Sequence, residues 1–108
     1  GVCTNTIMKK LFVYGLLQEE RLQRRLFNRT IEQQPYMIAG YCISDTLVSG
    51  MYKTIEFDSD EYTEGVLLHL EDHELDITDR FEGVTHGLYK RIDIGDNVQA
   101  YIHEVAHT

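Results

Sequence analysis

Four stretches of this chain carry residues whose types and spacing suit chemistry. The most conspicuous is His103-Glu104-Val105-Ala106-His107, an HExxH pattern, which on a helix places two imidazoles around a zinc ion. Zinc requires both ligating nitrogens at about 2.1 Å, converging on one point. The residues just before the motif alternate instead: Val98, Ala100 and Ile102 face one way, Gln99, Tyr101 and His103 the other. Along a strand rising about 3.3 Å per residue, His103 and His107 stand about 13 Å apart at Cα, too far for one ion. Only Thr108 follows here, so a third ligand after the pair is not expected. His103 is therefore read as a strand residue, His107 as a tail residue, and no metal site is expected. His69 and His73 straddle a predicted strand end and helix start and are read as surface histidines.

The quieter stretches concern carboxylate and backbone chemistry. Glu82 closes a predicted helix, and Asp79 sits three residues before it on the same face. A neighbouring carboxylate, or burial, would raise the pKa of Glu82 toward a range useful for acid–base work. Tyr89 and Arg91 share one face of the strand that follows. Near the start, Tyr14-Gly15-Leu16-Leu17 joins a strand to a helix. Unpaired N–H groups at such a junction can hold an anion, and Gly15 lets a ligand approach the backbone. Taken alone, each stretch also reads as ordinary structure: an acidic helix end and a strand–helix turn.

The elements that position these residues follow from periodicity. Leu11-Phe12-Val13-Tyr14 reads as a strand buried on both faces. Residues 18–27 are helical, with Leu22 and Leu26 four apart, Glu19 and Glu20 early, and Arg24 and Arg25 late. Pro35 breaks the chain before a strand at 36–43. Strands at 51–57 and 62–70 are separated by a polar turn, Asp58-Ser59-Asp60-Glu61. An acidic helix follows, closed by Gly83. Two terminal strands, 88–94 and 98–105, join across Gly95-Asp96-Asn97, a hairpin signal. The predicted fold is α+β: about six strands and two flanking helices, in a strongly curled sheet able to close into a small mixed β-barrel.

The chain has 108 residues, 43% hydrophobic with one proline, which fits a single globular domain. A formal net charge of −8 argues against nucleic acid as a partner. No apolar run approaches membrane-spanning length and no signal peptide is evident, so a cytoplasmic location without membrane contact is expected. Cys3 and Cys42 lie far apart and outside any CxxC pattern, and Cys42 is read as a reduced buried thiol. Met8-Lys9-Lys10-Leu11 resembles a natural start, so residues 1–7 are read as a tag remnant or N-terminal extension and 8–108 as the domain.

Together, Val13-Tyr14-Gly15-Leu16-Leu17, Asp79-Arg80-Phe81-Glu82-Gly83 and Leu88-Tyr89-Lys90-Arg91 resemble the gamma-glutamylcyclotransferase-like family. Its hallmarks are a Tyr-Gly-Ser/Thr-Leu loop after the first strand, a D-x-[aromatic or Gln]-E-G segment, and a Y-x-R strand. Order, separation and overall length match, and the resemblance covers residues 8–105. It implies a small mixed β-barrel with flanking helices and an enzyme that cleaves gamma-glutamyl amides without metal or organic cofactor. The substrate's own α-amine attacks the γ-carbonyl, giving 5-oxoproline and a free amine or amino acid. The resemblance makes Glu82 the catalytic acid–base, with the Tyr14, Gly15, Leu16 and Leu17 loop holding the α-carboxylate and developing oxyanion. Tyr89 and Tyr101 would donate hydroxyl hydrogen bonds around the glutamyl group.

Three departures stand out: Leu16 where the family has Ser or Thr, Thr78 where Leu is usual, and "GMYKTI" in place of an aromatic–proline pair. The expected partner is a small gamma-glutamyl compound, bound by a monomer or weak homodimer. The short chain favours an open pocket and a bulky leaving group. The rival reading is a non-catalytic small-molecule-binding module on the same fold. The position of Glu82, in a cavity beside the loop or facing solvent, separates the two.

Overall fold

A computed structural model of the chain describes residues 8–45, 47–48 and 52–103. The first seven residues, Met51 of one predicted strand, and Glu104 to Thr108 with the second half of the HExxH string lie outside the described residues.

Five strands form one mixed sheet: β1 (Lys9–Val13), β2 (Gln33–Ile43), β3 (Ile55–Leu70), β4 (Tyr89–Gly95) and β5 (Val98–His103), in the order β2-β3-β1-β5-β4. All pairings are antiparallel except β1 with β5. Helix α1 (Glu20–Phe27) follows a short 3-10 turn, Leu16–Gln18, and α2 (Asp72–Phe81) follows β3. No helix among the described residues is long and apolar enough to cross a membrane.

The strand count is five because the two strands expected around Asp58-Ser59-Asp60-Glu61 are one. That polar stretch bulges opposite Gly40, where the β2–β3 register slips between Ala39 and Tyr41, and β3 then continues in the same direction. The composition signalled an irregularity, but the ladder to β2 carries the strand past it. Gly40 sits at φ +86°, a backbone state that glycine adopts at no steric cost. Pro35, expected to precede β2, lies inside it. It is tolerated because β2 is an edge strand whose missing N–H opposes no further ladder.

Side chains of β1 alternate between two cores. Leu11 and Val13 pack under the helices with Leu17, Phe27, Ile31 and Leu75. Phe12 and Tyr14 face the other way, into a core made by the strands alone, with Ile38, Ile55, Leu67, Val98 and Ala100. A sheet that buries its own inner face in this manner must curl. It remains open, however, since no ladder joins the edge strands β2 and β4 among the described residues.

The curl brings β3 hard against β1. A Cβ on Gly65 would stand 2.3 Å from the Val13 carbonyl oxygen and 2.9 Å from the Phe12 ring, so only glycine permits this approach. The terminal hairpin has Asp96 and Asn97 both at positive φ, the two-residue turn that the right-handed strand twist selects.

Candidate active site

Because β1 and β5 run parallel, their carboxyl ends lie side by side, and the chain leaving β1 meets Tyr101 of β5 there. The Tyr14 hydroxyl donates to the Tyr101 carbonyl at 2.5 Å, tying the two strand ends together. Here a cavity of about 790 Å³ opens. Its wall contains Tyr14, Gly15, Leu16, Leu17, Glu82, Tyr89 and Tyr101, the residues to which the family resemblance gave a role. Gly15 has no protein atom within 4 Å of where a Cβ would be, so protein packing does not require a glycine there.

Glu82 arrives at the cavity as the C-cap of α2. Its N–H bonds to the Thr78 carbonyl at 2.8 Å, and Gly83 at φ +69° then reverses the chain. The helix start is equally fixed. Glu71 and Glu74 form a reciprocal capping box, and buried Glu74 takes a two-pronged hydrogen bond from Arg29 at 2.6 and 2.8 Å.

Of the two causes considered for a raised pKa, burial is the one at work: it lifts the Glu82 carboxyl from 4.5 to about 7. Asp79 is occupied elsewhere. It accepts the Tyr101 hydroxyl hydrogen and lies 3.3 Å from Arg91 Nη1. Arg91 therefore belongs to the frame behind the site rather than to the cavity wall.

Tyr89 and Tyr101, expected to donate to a substrate, and Tyr14 of the loop all make hydroxyl hydrogen bonds within the protein. Their hydroxyl hydrogens are already committed: Tyr14 to the Tyr101 carbonyl, Tyr89 to the Lys53 carbonyl at 2.7 Å, and Tyr101 to Asp79. Burial, aided by the Glu82 charge, pushes the Tyr89 phenol up to about 12, and burial likewise raises Tyr14 and Tyr101. All three stay protonated at neutral pH and line the cavity with their hydroxyl hydrogens already bonded within the protein. The Leu16–Gln18 turn closes with Gln18 N–H to the Gly15 carbonyl at 3.1 Å and Glu19 N–H to the Leu16 carbonyl at 3.0 Å. The N–H groups of Leu16 and Leu17 precede that first closing bond and so have no partner within the turn.

Thr78, the departure from Leu, is fully buried; its hydroxyl donates to the Leu75 carbonyl at 2.8 Å and lies 2.6 Å from the Tyr101 hydroxyl. The change is therefore polar as well as steric, joining α2 to β5 behind Glu82. Tyr52 and Lys53, from the "GMYKTI" departure, stand on the cavity wall, as do Leu22, Phe81 and Leu88. These last three stood in the helix pattern or in the quoted motifs without a role of their own, since an apolar residue reads the same whether it faces a core or a pocket. His103, the first residue of the HExxH string, ends β5, where its N–H donates to Thr54 and its ring packs edge-on against Tyr89.

Comparison with known proteins agrees with this architecture. The solution structures of two Arabidopsis thaliana proteins superpose with TM-scores of 0.75 and 0.76 at 24% identity, covering 95% and 94% of this chain. The chain spans 66% and 73% of their respective lengths. A structure titled gamma-glutamyl cyclotransferase superposes with a TM-score of 0.75 at 14% identity, over 89% of this chain and 66% of that one. At these identities the likeness establishes the fold. No curated protein matches the sequence. The model of one family, gamma-glutamyl cyclotransferase, AIG2-like, matches residues 11–107, nearly the whole chain, and the protein belongs to that family.

Proposed function

We propose that this protein is a gamma-glutamyl cyclotransferase in which Glu82 moves the protons. The observation that carries the reading is the half-buried Glu82 carboxyl group on the wall of a large cavity, brought by burial to a pKa of about 7. At that value it can both accept and return a proton at neutral pH.

In the proposed reaction the Glu82 carboxylate takes a proton from the substrate's α-ammonium. The freed amine attacks the γ-carbonyl carbon, a C–N bond forms, and the carbonyl electron pair moves onto oxygen. When that pair returns, the C–N bond to the leaving amine breaks, and its nitrogen takes the proton held by Glu82. The new ring nitrogen gives its extra proton to the Glu82 carboxylate, which passes it to solvent water, and 5-oxoproline and the amine depart. One carboxyl group suffices because the nucleophile is tethered to its electrophile, so orientation comes with the substrate. For the same reason the proposed steps draw on no metal or organic cofactor.

The Leu16 and Leu17 N–H groups are the donors assigned to the α-carboxylate and the oxyanion. A backbone donor is available whatever the side chain, so Leu16 in place of a hydroxyl residue is compatible with this role. The Tyr14 and Tyr89 oxygens, their hydrogens already bonded, are assigned to accept from the α-ammonium beside Glu82.

The test is a panel of gamma-glutamyl amides assayed for 5-oxoproline, with Glu82→Gln as control. Release is expected from the parent protein, with kcat/KM rising as pH passes through about 7. The variant should retain less than about a thousandth of that rate, in line with loss of acid–base catalysis. Turnover that survives the substitution refutes the assignment of Glu82. Binding of the amides without any release identifies a binding module instead.

A further inference from the structure

The cavity is much larger than the group on which the proposed reaction acts. A gamma-glutamyl unit has roughly nine heavy atoms, about 180 Å³ at interior packing density, whereas the cavity holds about 790 Å³. The remainder must receive the leaving amine, and its walls are apolar. Leu16, Leu17 and Leu22 contribute from the first turn and α1, and Phe81, Leu88 and Tyr52 from the opposite side.

A second observation points the same way. Leu16, Tyr52 and Phe81 are 47%, 39% and 39% exposed, so three large apolar side chains remain in water around one opening. Single exposed apolar residues are ordinary, but a cluster rimming a cavity marks a surface that an apolar ligand covers. Besides Glu82, the charged residues on the wall are Glu19 and Lys53, one of each sign and both exposed, so neither selects a net charge on the ligand.

Resting on the cyclotransferase reading, we infer that the leaving group is an uncharged apolar amine, alkyl or aryl, seated among Leu16, Leu22 and Phe81. Amino-acid leaving groups, which bring a carboxylate, and diamines, which bring a second ammonium, fit this wall poorly. Desolvating either charge there is offset by no buried counter-charge, since Glu19 and Lys53 both stand exposed in water.

The test is a homologous series: gamma-glutamyl methylamide, propylamide, hexylamide and anilide, with gamma-glutamylalanine and epsilon-(gamma-glutamyl)lysine as charged comparisons. Each added methylene should raise kcat/KM about fourfold until the cavity is filled, at ~0.8 kcal/mol per buried methylene. The charged pair should fall at least tenfold below the hexylamide. The same ligands are titrated calorimetrically into Glu82→Gln protein, which reads the cavity independently of any reaction. Leu22→Gln, placing an amide on the apolar wall, should flatten the dependence on chain length in both measurements. If binding and turnover show no dependence on chain length, or if a charged amide is preferred, the apolar leaving group is refuted while 5-oxoproline release still stands. If binding rises along the series but no amide is cyclised, the apolar subsite stands and the reaction reading falls.

Discussion

Replacing Glu82 with glutamine should make this protein more stable at alkaline pH as it removes the proposed activity. The carboxyl group has a pKa of 4.5 in an ordinary environment and about 7 in the fold, displaced by burial. A carboxyl whose folded pKa lies above its unfolded value is favoured by the fold in its neutral form. Its contribution is full below about pH 4.5 and is lost as pH rises through about 7, where the folded protein must hold a buried charge. At about 1.4 kcal/mol per pH unit of displacement, the cost at pH 8.5 reaches about 3 kcal/mol. Glutamine has nearly the same shape and no charge to bury. Urea denaturation of both proteins from pH 4.5 to 8.5 should therefore show a difference that grows from a constant acid baseline by about 3 kcal/mol. For a domain of this size that corresponds to a melting-temperature difference on the order of 15 °C at the alkaline end. A difference that does not change with pH refutes the burial argument for Glu82, and with it the reason for its acid–base role.

Three further substitutions probe the frame around the site. Gly65→Ala puts a Cβ 2.3 Å from the Val13 carbonyl, so β1 and β3 must part, and denaturant titration should show a loss of about 3 kcal/mol. Arg29→Met strips buried Glu74 of its charge partner and should cost about 3 kcal/mol near neutrality by the same measurement. Burial acts to raise the Glu74 pKa, but the Arg29 hydrogen bonds and the capping N–H outweigh it and hold the pKa below 4.5. The contribution of the bridge is therefore present above pH 4.5 and lost as pH falls, so the gap between Arg29→Met and the parent should narrow in acid. Gly15→Ala places its methyl group where no protein atom lies within 4 Å, so stability should stay within about 1 kcal/mol. Its kcat/KM on gamma-glutamyl amides should fall at least tenfold, because the space it takes belongs to the ligand; full activity would refute that.

Local signals were legible wherever the chain's own geometry decides the outcome. The Gly95-Asp96-Asn97 reversal, the helix ending at Glu82 and Gly83, and the alternation that puts His103 on a strand all follow from backbone preference and side-chain period. The errors came where pairing with a distant segment overrode local composition. Asp58 to Glu61 read as a turn because four polar residues usually make one, yet they bulge within one strand and the ladder to β2 holds on either side of them. Pro35 read as a break because a lone segment cannot reveal that its strand lies at an edge.

The same division runs through the site. Sequence pattern alone determined which residues are candidates: a carboxyl at a helix end, a glycine between strand and helix, tyrosines on the facing strands. Its alternation also put His103 on a strand, where the structure has it at the end of β5. Only the tertiary structure decided that these candidates share one cavity, because the parallel pairing of β1 with β5 joins residues 87 positions apart. It also decided that burial rather than Asp79 tunes Glu82, and that the tyrosine hydrogens are already bonded. Burial and hydrogen-bond partners depend on neighbours supplied by remote parts of the chain, and no spacing along the sequence encodes a desolvation energy.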